Sequence, residues 1–221
     1  RRESMENMGT NDKTREKKAG NRVLKAGIGY TIGNYLLKGL SFFTIPIFTR
    51  LLTTQDYGKY NVFLSYESII FVLIGFAIHS SYKNARYRYG LASEGAEKGK
   101  DYHSYVSTTI CLVLCSTAGW LLAVNIFGDA IENFLQLDKV CLNLLVLYAF
   151  GNAVMTCYNT DAGIDYRYQK FIKVSGINAI LNILLSLFLI VFVFQKDKYI
   201  GRILGSTIAI VVVAVNIICL L

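Results

Sequence analysis

The chain has 221 residues, of which 53% are hydrophobic and 17% charged. So little charge at this length excludes an ordinary soluble domain, and the apolar residues gather into about six blocks, each near the ~20 residues that cross a hydrocarbon core. A net charge of +8 would suggest nucleic acid in a soluble protein, but here it lies largely in the N-terminal stretch and short loops, where it sets membrane orientation; no nucleic-acid partner is expected.

Residues 1–27 are polar and basic, with no cleavable signal pattern. They read as a cytoplasmic tail, with Lys17–Gly27 as a short basic surface helix. Six spans are predicted after it, at about 28–52, 61–82, 105–127, 140–160, 174–194 and 203–221. The fold class is therefore all-α: a polytopic membrane protein whose six transmembrane helices form one bundle. Between spans lie the polar loop after Tyr82, an acidic loop from Gly128 to Lys139, a loop from Asp161 to Lys173, and a loop from Gln195 to Arg202. With spans alternating in direction, one side holds 16 Lys and Arg and the other 6. The basic side faces the cytoplasm, so the N-terminus is expected inside a bacterial cytoplasmic membrane. The loop from Gln195 to Arg202 fits this least well, being basic yet placed outside. The apolar run is still open at Leu221, so the chain is expected to be part of a longer protein with a second lobe.

The first span carries the chemistry. At 100° per residue, Thr31, Asn34, Lys38 and Ser41 fall within about 80° of one another. A polar stripe on a membrane helix should face protein or water rather than acyl chains. Lys38 lies too deep to snorkel easily and reads as a cation for a phosphate or carboxylate, or as half of a structural ion pair. Arg50 reads as a second such cation or as an interfacial anchor. Pro46, the only proline, removes one backbone donor and predicts a bend between them. In the second span, Glu67 reads as a coupling carboxylate or as the ion-pair partner of Lys38; Asp161, at the end of the fourth, is a further coupling or ion-pair candidate. Asn152, Thr156 and Asn159 share a face of span four, and Ser175, Asn178, Asn182 and Ser186 a face of span five. Such stripes make helix contacts or line a wet cavity. Gly29-x-x-x-Gly33 is a close-packing signal. His79 and His103 read as interfacial.

The five cysteines, Cys111, Cys115, Cys141, Cys157 and Cys219, all lie in apolar blocks. They read as packing residues without disulfides, and no metal set accompanies them. No catalytic constellation is visible, so an enzyme is not expected. No cofactor is needed, with H+ or Na+ left open as a coupling ion.

Gly33-Asn34, Lys38-Gly39, the run from Pro46 to Ser65 with its Asp56-Tyr57-Gly58 turn, and the later Gly201–Thr207 motif resemble the bacterial O-antigen and capsule flippases. These polysaccharide exporters belong to the multidrug/oligosaccharidyl-lipid/polysaccharide exporter superfamily. The resemblance implies a two-lobed transporter of which this chain is the N-terminal lobe, and alternating access between the lobes. It further implies a substrate of the undecaprenyl-diphosphate-linked oligosaccharide type, membrane lipids and the polysaccharide polymerase machinery as partners, and a cationic central cavity onto which Lys38 and Arg50 map. Lipid II flippases share a similar first hairpin. The alternatives are a multidrug or cation exporter of the same superfamily, which would want buried carboxylates more than buried cations, and a non-transporting membrane subunit or inactive fragment.

Overall fold

The structure is a computed structural model that describes residues 2–91, 100–135 and 137–220. Every regular element among them is helical. Helix α1 runs from Arg2 to Leu51, so the expected short surface helix is instead the first part of one long helix that passes through Pro46 without a break. α2 spans Thr54–Gly75. It is followed by a 3-10 turn at Ile78–Ser81, the short α3 at Tyr82–Ala85 and a π turn at Arg86–Leu91. α4 spans Lys100–Ile126, α5 Gly128–Leu135, α6 Lys139–Ile164, α7 Tyr168–Phe188 with a π turn at Leu189–Val193, and α8 Lys198–Leu220.

Three expectations about connections need correction. The Asp56-Tyr57-Gly58 stretch is the first turn of α2, not a turn between helices. Thr53 Oγ1 accepts from the Asp56 N–H at 3.1 Å and the Asp56 carboxylate accepts from the Thr53 N–H at 3.3 Å, a reciprocal cap that satisfies two orphan donors and starts the helix seven residues early. The acidic stretch from Gly128 holds a helix, α5. The connection expected from Asp161 to Lys173 shrinks to the few residues between α6 and α7. The second span also ends differently: Phe76 and Ala77 adopt left-handed backbone (φ 46° and 49°), and the chain bends by 53° there.

Side-chain register shows that the long helices alternate in direction. α1 runs parallel to α7: Gly29 abuts Tyr168, Gly33 abuts Ile172, and Phe48 and Leu52 cluster with Ile190. α8 runs antiparallel to α7, with Gly205 against Ser186 and Gly201 against Ile190. α4 opposes α6, pairing Tyr102 with Asp161 and Asn125 with Asn143. α2 follows α6, pairing Phe63 with Tyr148 and Glu67 with Asn152. The molecule thus has a proximal end, where α1, α4 and α7 approach their starts, and a distal end, where α1 finishes at Leu51.

α6 is the centre. Of its most apolar stretch 61% is buried, against 11% for α7, so α7 lies at the periphery, packed against α8 and α1. Phe63 and Ile74 of α2, Val113 and Val124 of α4, and Ile203, Ala214 and Ile217 of α8 close over Leu142, Leu145, Ala149 and Val154 of α6. Four helical stretches are long and apolar enough to cross a membrane: Tyr102–Ile126, Lys139–Ile164, Tyr168–Val193 and Lys198–Cys219. A fifth forms if the bent pair Thr54–Gly75 and Ile78–Tyr89 counts as one. α1, which carries Asn34, Lys38 and Arg50, is not among them.

Candidate functional site

The α1 stripe is positioned by glycine. A Cβ on Gly33 would lie 2.5 Å from Ile172 Cγ1, and one on Gly29 would enter the Tyr168 ring. Close packing on α7 therefore needs the bare backbone at both positions. That face of α1 also buries Ala26 and Phe48. The stripe lies about 110° around the helix from it, so Thr31, Asn34 and Lys38 are exposed. Thr31 returns its hydroxyl to the Gly27 carbonyl at 2.9 Å; the side chain of Ser41 lies outside the described ones. Lys38 stands among exposed Tyr35, Leu36 and Phe42, a surface that acyl chains alone would suit poorly around an ammonium group. Arg50 is exposed as well. The two cations are about 18 Å apart along the axis.

The expected Lys38–Glu67 ion pair does not form. Among the described residues the ion pairs are Arg86–Asp165 and Arg167–Asp165. The reason is direction: α1 gives its buried face to α7, whereas Glu67 looks across the α2–α6 seam. There its Oε1 accepts from Asn152 Nδ2 at 2.7 Å, so Asn152 serves a helix contact. Asn159 and Asn178 each bury an amide oxygen with no hydrogen-bond partner among the described residues.

Asp161 is not ion-paired either. Its Oδ1 accepts from the Tyr102 hydroxyl at 2.6 Å, while Asp165, one turn on, takes the guanidinium of Arg86 at 2.9 Å and that of Arg167. Arg86 also lies 4.6 Å over the Tyr102 ring, which closes a network joining α4, α6 and the segment after the α2 bend. His79 lies in the turn before α3, its ring 6.2 Å from Phe71.

The best-organised cation is Arg202, which in sequence reads only as one charge of the loop from Gln195. Arg202 Nη1 donates to Asn182 Oδ1 at 2.7 Å and to Ser186 Oγ at 2.8 Å. Its guanidinium lies 3.8 Å over Phe48 and 5.2 Å from Tyr60. One residue thereby ties α8 to α7, α1 and α2. The close approach comes from Gly201 and Gly205, which flank it: a Cβ on Gly205 would meet the Ser186 backbone at 2.6 Å. Lys198 is similarly engaged, donating to the Leu51 carbonyl at 2.9 Å and so satisfying an orphan acceptor at the end of α1. Lys59 lies 4.4 Å over Tyr199. Two cations of the awkwardly basic loop are therefore held by helix ends and side chains. In sequence, the Gly201/Gly205 spacing and the Asn182/Ser186 pair one turn apart mark close helix packing but do not name Arg202 as the partner.

The described residues offer no group of three His, Cys, Asp or Glu placed to hold a metal. The site chemistry is that of cations at several heights along a helical membrane protein, suited to attracting an anion. A family model described as polysaccharide biosynthesis protein matches residues 23–221. No curated protein and no solved structure matches the chain significantly.

Proposed function

The chain belongs to the polysaccharide biosynthesis protein family, and we propose from that premise that it moves a lipid-diphosphate-linked oligosaccharide across a bacterial cytoplasmic membrane for surface polysaccharide such as O-antigen or capsule. The family match over residues 23–221 carries the reading. The alternating direction of the helices supports a multi-pass protein, with α1, from about residue 28 to 52, as the first of its six spans. The excess of Lys and Arg at the proximal end supports a cytoplasmic N-terminus.

In this reading Lys38 and Arg50 hold the diphosphate. Arg offers a planar fork to phosphate oxygens and Lys a mobile point charge. Because they lie about 18 Å apart along α1, they engage the headgroup in succession as it crosses. The lipid chain stays in the bilayer, so the protein shelters only the polar head. A second helical bundle facing the α1 stripe supplies the other wall, and rocking of the two gives alternating access. Glu67, half-buried at the α2–α6 seam, is the candidate for H+ or Na+ coupling. The role is transport rather than catalysis.

The test is export of surface glycan in cells carrying Lys38→Ala or Arg50→Ala. Removing one charged hydrogen-bond partner of about 1.5–3 kcal/mol lowers export roughly 10- to 100-fold. Wild-type export from both variants, at equal membrane levels, would remove the proposed roles.

A further inference from the structure

Pro46 gives α1 a weak point just before the turn that carries Arg50. It has no N–H to offer the Phe42 carbonyl. Thr49 then returns its hydroxyl to the Pro46 carbonyl at 3.1 Å, a local bond that competes with helix geometry. The last turn is therefore only loosely tied to the rest of its own helix, yet α1 runs on to Leu51. Contacts from outside α1 must hold that turn in line.

Two cations one turn apart on α8 do this. Lys198 Nζ donates to the Leu51 carbonyl at 2.9 Å, and the Arg202 guanidinium lies 3.8 Å over the Phe48 ring. In sequence these contacts bracket Arg50, one on the backbone just after it and one on the side chain just before it. The ammonium group also sits at the negative end of the α1 dipole, where a cation is favoured. Phe48 and Leu52 pack on Ile190, which sets the turn against α7, while the bond to Leu51 sets its height. The grip is anchored in turn. Arg202 is half-buried and is held by Asn182 and Ser186. A Cβ on the adjoining Gly201 would lie 3.2 Å from the Ile190 backbone, within the π turn Leu189–Val193. Turns of this kind recur where a helix is shaped for function. Neither Lys198 nor Arg202 is ion-paired among the described residues, so both add to the positive field in which Arg50 stands.

We propose that Lys198 and Arg202 are positioning residues for Arg50: they fix the height and direction at which its guanidinium meets an anion at the distal end of α1. They act through the backbone and the Phe48 ring rather than on the anion. A guanidinium fork binds phosphate oxygens in one geometry and so needs a fixed backbone, whereas an ammonium group on a flexible stem does not. This inference rests on the export reading above, in which Arg50 holds a phosphate.

The test pairs amide exchange of the full chain in nanodiscs with glycan export in cells. Lys198→Met should speed exchange at residues 47–51 about tenfold and leave α6 unchanged. Arg202→Gln should act on the same amides, which preserves the test if Lys198→Met misfolds. Lys196→Gln, at an exposed cation of the same loop, should change nothing. Adding Pro46→Ala to Lys198→Met restores the missing backbone donor and should slow exchange again. In cells, Lys198→Met should lower export about tenfold, but less than about threefold when Arg50→Lys is also present, because a mobile ammonium group tolerates a displaced backbone. Unchanged exchange at residues 47–51, or a rise that is equal throughout the chain, overturns the grip. Equal export losses with and without Arg50→Lys overturn the positioning role. Faster exchange at residues 47–51 together with wild-type export from Arg50→Ala sinks the export role of Arg50 and leaves the grip in place.

Discussion

Gly205→Ala tests the contact that places Arg202. Alanine in an open helical position is favoured over glycine by about 1 kcal/mol. At Gly205 the added methyl group would sit 2.6 Å from the Ser186 Cα and N, and backbone cannot swing aside as a flexible side chain can. α7 and α8 must part by about 1 Å to restore van der Waals distance. Overpacking of this kind costs typically 1–3 kcal/mol, and parting the helices also stretches the 2.7 and 2.8 Å bonds of Arg202. The net expectation is a loss of about 1–2 kcal/mol. Gly119, in α4, meets nothing within 4 Å, so Gly119→Ala should stabilise by a few tenths to about 1 kcal/mol. The two variants should therefore shift stability in opposite directions and differ by about 1.5–3 kcal/mol. Thermal unfolding of both proteins in the same detergent reads this directly. Gly205→Ala as stable as Gly119→Ala would refute the proposed closeness of α7 and α8.

Other outcomes follow from the same structure. Arg202→Ala, losing two charged hydrogen bonds and an aromatic stack, should cost about 2 kcal/mol. A double-mutant cycle with Asn182→Ala should show coupling rather than additivity. Glu67→Gln, which still accepts from Asn152, should unfold near the wild-type temperature, while Glu67→Ala should lose about 1 kcal/mol; equal losses would mean that the Asn152 bond does not hold the seam. Thr53→Ala, removing the α2 cap, should cost about 1 kcal/mol and speed amide exchange in the first turn of α2. Unchanged exchange there would contradict the cap.

Hydropathy revealed the apolar helices because a ~20-residue block is a one-dimensional signal. It misplaced the start of α2 because Thr53 and Asp56 are polar residues that cap a helix rather than end one. The bend at Phe76 and Ala77 carries no proline and no glycine at the left-handed positions, so nothing local announces it. The Gly29/Gly33 spacing was readable and meets α7. The Lys38–Glu67 pairing failed because a single helix shows which residues share a face, but not which neighbour that face receives. Arg202 reads in sequence as a loop charge for the same reason: its partners Asn182 and Ser186 lie on another helix, and only the fold brings them within reach.

The most direct measurement of the central claim is lipid flipping in proteoliposomes. A fluorescent undecaprenyl-diphosphate oligosaccharide placed in the outer leaflet becomes protected from a membrane-impermeant quencher only if it is carried inward. The account predicts protection with the full-length protein, at least tenfold slower protection with Lys38→Ala, consistent with loss of one charged contact, and none for the same sugar on a phosphate-free lipid. Equal movement of the phosphate-free lipid, or wild-type rates from Lys38→Ala, would contradict it.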